Sequence, residues 1–213
     1  MFALPHTTIV NRAVPKNSFD AYMNSKQKKL LSTHIDKIKW RNKLSTQTIK
    51  LEGKYIQEIQ LFNIYLKQKD SVEEVLTIID KSIPYHIIFV LIFNEEVMFS
   101  AAQKHLHPTI DNVSVIDWRF ISPWVQVDDI QYQLHLKNTL DYVFTDFCLQ
   151  LIGKTKNTTL QETIRIEQKK KKLLYEIDKL ESEVKRCKQF NRKVELNIEL
   201  QTKKKVLSEL SDL

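Results

Sequence analysis

Ile56-Gln57-Glu58-Ile59-Gln60-Leu61-Phe62-Asn63-Ile64-Tyr65-Leu66, then Ser71-Val72-Glu73-Glu74-Val75-Leu76-Thr77-Ile78-Ile79, then His86-Ile87-Ile88-Phe89-Val90-Leu91-Ile92-Phe93 follow one another with different apolar periods. The first reads as a strand, with Ile59, Leu61, Ile64 and Leu66 directed to buried faces. The second carries Val72, Val75, Leu76 and Ile79 at helical spacing, and Ser71 with Glu74 has the form of a capping box. Pro84 ends that helix. The third has no polar alternation, as expected of a central strand covered on both faces.

Working outward, Ser25 to Ile35 reads as a helix and Ile38 to Arg41 and Thr48 to Leu51 as strands. Val97 to Ala102, Val113 to Phe120 and Ile130 to Leu136 read as further strands, and Leu140 to Ile152 as an amphipathic helix with Tyr142, Val143, Phe147 and Leu151 inward. Strands at hairpin spacing with helices at intervals predict an α+β fold: a mixed, largely antiparallel sheet with flanking helices.

Only two glycines, Gly53 and Gly153, occur in 213 residues, where average usage would place about 15. Glycine-rich phosphate loops, the G-x-S-x-G nucleophile elbow and calcium loops all need glycine at defined points and cannot be written. Gly153 also marks a change of composition. Residues 1–150 hold 17 Lys and Arg against 16 Asp and Glu, and residues 151–213 hold 16 against 10, so nearly all of the net charge of +7 belongs to the last third. All five prolines precede Gly153. The expected organisation is an α+β domain over 1–153 and a basic helical arm over 154–213.

Within the arm, Ile166, Leu173, Leu180, Cys187 and Val194 recur every seven residues, with Ile177, Val184, Asn191 and Ile198 on the complementary row. That alternation predicts the seam of a coiled coil or a helical hairpin, with Asn191 as a polar register device. Lys188-Gln189-Phe190-Asn191-Arg192 is one place for a bend, and the stripe resumes, displaced, at Val206, Leu210 and Leu213. Such a seam calls for self-association or a partner helix. Lys169-Lys170-Lys171-Lys172 and Lys203-Lys204-Lys205 read as solvated helix faces or as contacts to nucleic-acid phosphates.

Three further patterns bear on chemistry. Glu58 and Gln60 share one face of their strand, with Glu52 upstream. Helix, three strands, helix, strand is the segment order of the PD-(D/E)xK nuclease core, in which an acid and an E-x-K or E-x-Q pair hold Mg²⁺. Gln60 would stand in for the lysine, and without a clear second acid a solvated sheet face is the competing reading. His105, His107 and Asp111 have loose metal-ligand spacing in an expected surface loop before and after Pro108. No cofactor is otherwise expected. Cys148 and Cys187 lie in different segments without a C-x-x-C pair, which fits free thiols in a reducing, cytoplasmic setting. The N-terminal residues lack the pattern of a leader, and the apolar run Ile87 to Phe93 is too short to span a membrane.

Several strings occur together: Leu4-Pro5, Val10-Asn11 and Val14-Pro15-Lys16; Ile38-x-Trp40 and Lys43-Leu44-Ser45; Glu58-Ile59-Gln60; Ile79-Asp80-Lys81-x-Ile83-Pro84-Tyr85-His86; and Lys188-Gln189-Phe190-Asn191-Arg192-Lys193-Val194-Glu195-Leu196-Asn197. In these the chain resembles a bacterial family of unassigned function with a conserved N-terminal domain and a coiled-coil tail. The resemblance implies a setting beside helicase and DNA-methyltransferase genes of restriction-like or anti-phage systems, with partners among those proteins. It assigns no functional residue. The expectation is a non-enzymatic accessory or scaffolding protein, with a divergent nuclease and a lysine-cluster nucleic-acid binder as alternatives.

Overall fold

In the computed structural model, which describes residues 2–110, 113–153 and 159–211, the chain divides into two compact units, residues 1–157 and 158–213. The centre of the first unit is strand β3 (Glu58–Leu66), helix α3 (Glu73–Ser82) and strand β4 (His86–Phe93). β3 and β4 run parallel, with Ile59 beside His86 and Tyr65 beside Ile92. A parallel neighbour requires a crossover, and α3 supplies it. Both strands are buried on both faces for most of their length, which accounts for their unbroken apolar runs.

Antiparallel strands extend the sheet on either side. β1 (Ile9–Val14) and β2 (Ile35–Ser45) precede β3, and β5 (Glu96–Leu106) and β6 (Ser114–Ile121) follow β4, giving the order β1-β2-β3-β4-β5-β6. A two-residue strand, β7 (Val125–Gln126), pairs with β5. One face packs Phe62, Ile64, Ile87, Phe89 and Leu91 against α3 and Leu31 of α1 (Ser25–His34). The residues between them point the other way, toward α4 (Leu140–Leu151), whose Phe144 meets His86 edge-on and whose Phe147 meets Phe99 edge-on.

Several expected elements differ. Thr48 to Leu51 is not a strand, because α2 (Thr46–Ile49) turns the chain there. The Ser45 amide donates to Thr48 Oγ1, that hydroxyl donates to the Lys43 carbonyl, and Lys50 takes a left-handed φ of 56°. β1 precedes α1 instead, so the expected run of helix, three strands, helix and strand is not the observed order. β1 is an edge strand with no alternating burial, which left it without a sequence signal. Ile130 to Leu136 is irregular: the Gln133 backbone is satisfied by the Gln150 side chain, which accepts at 2.9 Å and donates at 3.0 Å, in place of a neighbouring strand. The Ser71–Glu74 box does not form. Val72 caps α3, and Glu74 accepts from Gln27 of α1.

The second unit is a helical hairpin of α5 (Leu160–Arg186) and α6 (Phe190–Ser211), reversing at residues 187–189. Thr159 caps α5 in a complete capping box with Glu162. Ile177 and Leu180 pack against Leu196 and Leu200, flanked by Val184, Cys187 and Leu207. Two ion pairs cross between the helices, Glu176 to Lys203 and Glu181 to Lys204, each at 2.7 Å.

Candidate functional site

The sheet places Glu58 and Gln60 at the start of β3, beside Ser45 and Lys43 of β2 in antiparallel register. Directly opposed residues share a face, so these four side chains form one polar square. It lies on the face that carries Phe62 and Ile64 further along β3. Both glutamate oxygens are engaged: Lys43 Nζ lies 2.7 Å from Oε2, and Gln60 Nε2 donates to Oε1 at 2.6 Å. Glu58 is only 6% exposed, and burial of a carboxylate demands such partners. The Ser45 hydroxyl is buried and has no hydrogen-bond partner among the described residues.

The loop entering this square is fixed by α4. The Asp141 carboxylate accepts from the amides of Lys54, Tyr55 and Ile56 at 2.6, 2.9 and 3.1 Å. Gly53 is required here for space, since a Cβ would lie 1.8 Å from the Ile56 carbonyl oxygen. Glu52 is exposed in the same loop, its carbonyl accepting from the Leu140 amide. Among the described residues no three His, Cys, Asp or Glu side chains gather as a metal would need.

A second buried polar group lies under α3. Asp80 is fully buried between Lys104 of β5 and Arg119 of β6. Arg119 donates to Asp80 Oδ2 at 2.6 Å and to Ser100 Oγ at 3.1 Å. Lys104 Nζ donates to the carbonyls of Asp80 and Ile83 at 2.6 and 2.8 Å, closing the C-terminal end of α3. Burial lowers the pKa of Lys104 from its usual value, and Asp80 opposes the shift. His86 is pushed down to about 4, first by burial and then by the Lys104 charge. Its Nε2 has no hydrogen-bond partner. Asp80, Lys104 and Arg119 tie α3 to the sheet, and His86 packs against Phe144 of α4.

The other predicted positions are dispersed. His105 pairs with Asp117, and His107 Nδ1 accepts from the amides of Thr109 and Ile110 in a turn; Asp111 lies outside the described residues. A cleft of about 660 Å³ lies at the end of α4, lined by Val125, Tyr132, Gln150 and Leu151 among others. Beside it, burial pushes the Asp146 pKa up, but hydrogen bonds from His135 and Gln150 prevail and hold it below the usual value.

In the hairpin, three of the seven cluster lysines pair with neighbouring carboxylates: Lys170 with Glu167 at 3.2 Å, Lys203 with Glu176 and Lys204 with Glu181. The predicted seam divides at the turn. Ile177, Leu180, Val184 and Cys187 face α6, with Ile166 and Leu173 half-buried, whereas Asn191, Val194 and Ile198 are exposed. The hairpin closes instead through Leu196, Leu200 and Leu207, which occupy the other side of α6.

Nearly the whole chain, residues 2–207, matches the profile of a domain of unknown function, DUF4391. The chain belongs to that family. No curated protein and no solved structure matches it. The DUF4391 profile thus spans both the sheet domain and almost all of the hairpin. Among the described residues of this DUF4391 member, no helix is long and apolar enough to cross a membrane.

Proposed function

We propose that this protein is a non-enzymatic accessory subunit that assembles through its helical hairpin, working in the cytoplasm within a DNA-associated, restriction-like or anti-phage system alongside helicase and methyltransferase proteins. The observation that carries the reading is the outward face of α6. Val194 and Ile198 are 43% and 64% exposed, on the side away from the Leu196 and Leu200 core. The α6 part of the seam legible in the sequence is therefore left out of the hairpin core and offers a stripe for a second copy of α6. Sedimentation velocity of the full chain tests this: assembly abolished by Val194→Asp with Ile198→Asp supports it.

The non-enzymatic part rests on Lys43. A metal-dependent phosphodiesterase needs converging carboxylates to hold its cation. The neighbour strand here offers a hydroxyl and an ammonium opposite Glu58 and Gln60, and the ammonium already neutralises the glutamate. The alternative of a divergent PD-(D/E)xK nuclease draws on the Glu58-x-Gln60 pair and the β3-α3-β4 crossover. It requires Mg²⁺- or Mn²⁺-dependent cleavage by the purified protein that Glu58→Ala abolishes.

A further inference from the structure

The hairpin turn gathers cations around Phe190, the first residue of α6. Residues 185–193, Lys185-Arg186-Cys187-Lys188-Gln189-Phe190-Asn191-Arg192-Lys193, hold five cations and no carboxylate. All except the half-buried Cys187 are exposed. Arg192 pairs with Glu195 at 2.8 Å. Lys185, Arg186, Lys188 and Lys193 form no ion pair among the described residues, in contrast to the paired Lys170, Lys203 and Lys204. In the midst of these cations Phe190 is 76% exposed and takes no part in the core formed by Ile177, Leu180, Leu196 and Leu200. Gln189 and Asn191 flank the ring with neutral amides.

We propose that this tip is a contact site for single-stranded nucleic acid, with the unpaired cations on phosphates and a base stacked on Phe190. An unpaired cation cluster releases counterions when it meets a polyphosphate. An exposed aromatic ring among cations is the platform on which unpaired bases stack, without sequence preference. Phe190 stands one and two turns before Val194 and Ile198 on α6, at the end of their exposed stripe, and unlike them it lies among cations. One ring is enough for one base. The contact thus lies at the turn, where cations and an aromatic residue are interleaved, rather than at the lysine runs, three of whose members are held in the hairpin's own ion pairs and which carry no aromatic residue.

The test is fluorescence anisotropy of a labelled 20-nucleotide oligo-dT with the full chain across a salt series. With four unpaired cations the slope of log K against log salt should be roughly −3, at about 0.7 per phosphate on a single strand. Phe190→Ala should weaken binding about tenfold and leave that slope unchanged. Replacing Lys185, Arg186, Lys188 and Lys193 by Gln should flatten the slope, while Gln at Lys169 to Lys172 should leave affinity within about twofold. Circular dichroism should show unchanged helix content in every variant. The proposal is overturned by no binding of the oligonucleotide at low salt, by equal binding of wild type and Phe190→Ala, or by a larger loss from the Lys169–Lys172 variant than from the tip variant. It is also overturned if Phe190→Ala loses helix content, if the tip binds polyglutamate as tightly as the oligonucleotide, or if it binds anionic vesicles more tightly.

Discussion

Lys43 reaches Glu58 diagonally across the β2–β3 pair with 2.7 Å between ammonium and carboxylate, and Gln60, which stands opposite Lys43, holds the second carboxylate oxygen. The carboxylate is buried, while the lysine is 32% exposed and reaches it from the solvent side. This pair makes the square self-sufficient. Removing the cation strands a buried charge, whereas removing both charges does not. Lys43→Ala is therefore expected to cost about 1–2 kcal/mol, below the cost of a fully buried pair because Lys43 is partly hydrated. Adding Glu58→Gln should recover most of that loss. Urea denaturation of the single and double variants measures both, and a double variant as unstable as Lys43→Ala would show that the pair is not the stabilising unit.

His86 sets an acid limit on the fold. Its pKa is about 4 in the native state, against 6.5 for an unperturbed histidine. Between these values the unfolded chain binds the proton that the folded chain refuses, so stability rises with pH across that window and falls as pH drops from 6.5 to 4. The loss attributable to this one group is on the order of 3 kcal/mol. Replacing His86 with Gln should flatten the urea midpoint between pH 4 and 6.5. An unchanged slope would remove His86 as the cause.

The two glycines should respond differently. Gly53→Ala drives a methyl group into the Ile56 carbonyl and should cost about 1–3 kcal/mol or displace the loop that Asp141 holds. Gly153 has open space around it but a φ of +66°, so Gly153→Ala costs only the left-handed backbone penalty, about 1–2 kcal/mol. The amide signals of Lys54 to Ile56 in nuclear magnetic resonance spectra distinguish the two: they should move in Gly53→Ala and stay in place in Gly153→Ala.

How legible these features were in the sequence follows from physics that is local or non-local. The β3-α3-β4 centre could be read because double-sided burial leaves continuous apolar runs and α3 has a clean stripe. β1 could not, because an edge strand needs no pattern. Ile130 to Leu136 alternates like a strand, yet its partner is one glutamine side chain 17 residues away. The Glu58–Gln60 pair was visible as a motif, but its meaning depends on Lys43, which reaches it only through the sheet register. In the tail the heptad rows along α5 include Ile177, Leu180, Val184 and Cys187, which pack in the hairpin, and Ile166 and Leu173, which are half-buried outside that cluster. The rows could not show that Leu196 and Leu200 would win the hairpin core and leave Val194 and Ile198 outside. The tip has no periodic signature, because its cations are interleaved with Gln, Phe and Asn, and only exposure distinguishes Phe190 from a core residue.

The ion pairs that cross the hairpin should add little singly. Lys204→Ala is expected to leave stability nearly unchanged, since both partners are well hydrated. Leu200→Ala should cost about 2–5 kcal/mol of hairpin stability, because it opens the small core against Ile177 and Leu180. Thermal unfolding followed by circular dichroism compares the two. Equal losses would place the hairpin's stability in its charges, contrary to the packing described here.

Sedimentation velocity over a concentration series, with the wild type beside the Val194→Asp, Ile198→Asp double variant, tests the account at its centre. Both substituted positions lie outside the hairpin core, so helix content should persist. The wild type should sediment as an assembly of more than one 25.3 kDa chain at the upper concentrations, and the double variant as a monomer throughout. A wild type that stays monomeric over the whole range, or a double variant that assembles equally well, would contradict an accessory subunit built to associate through α6.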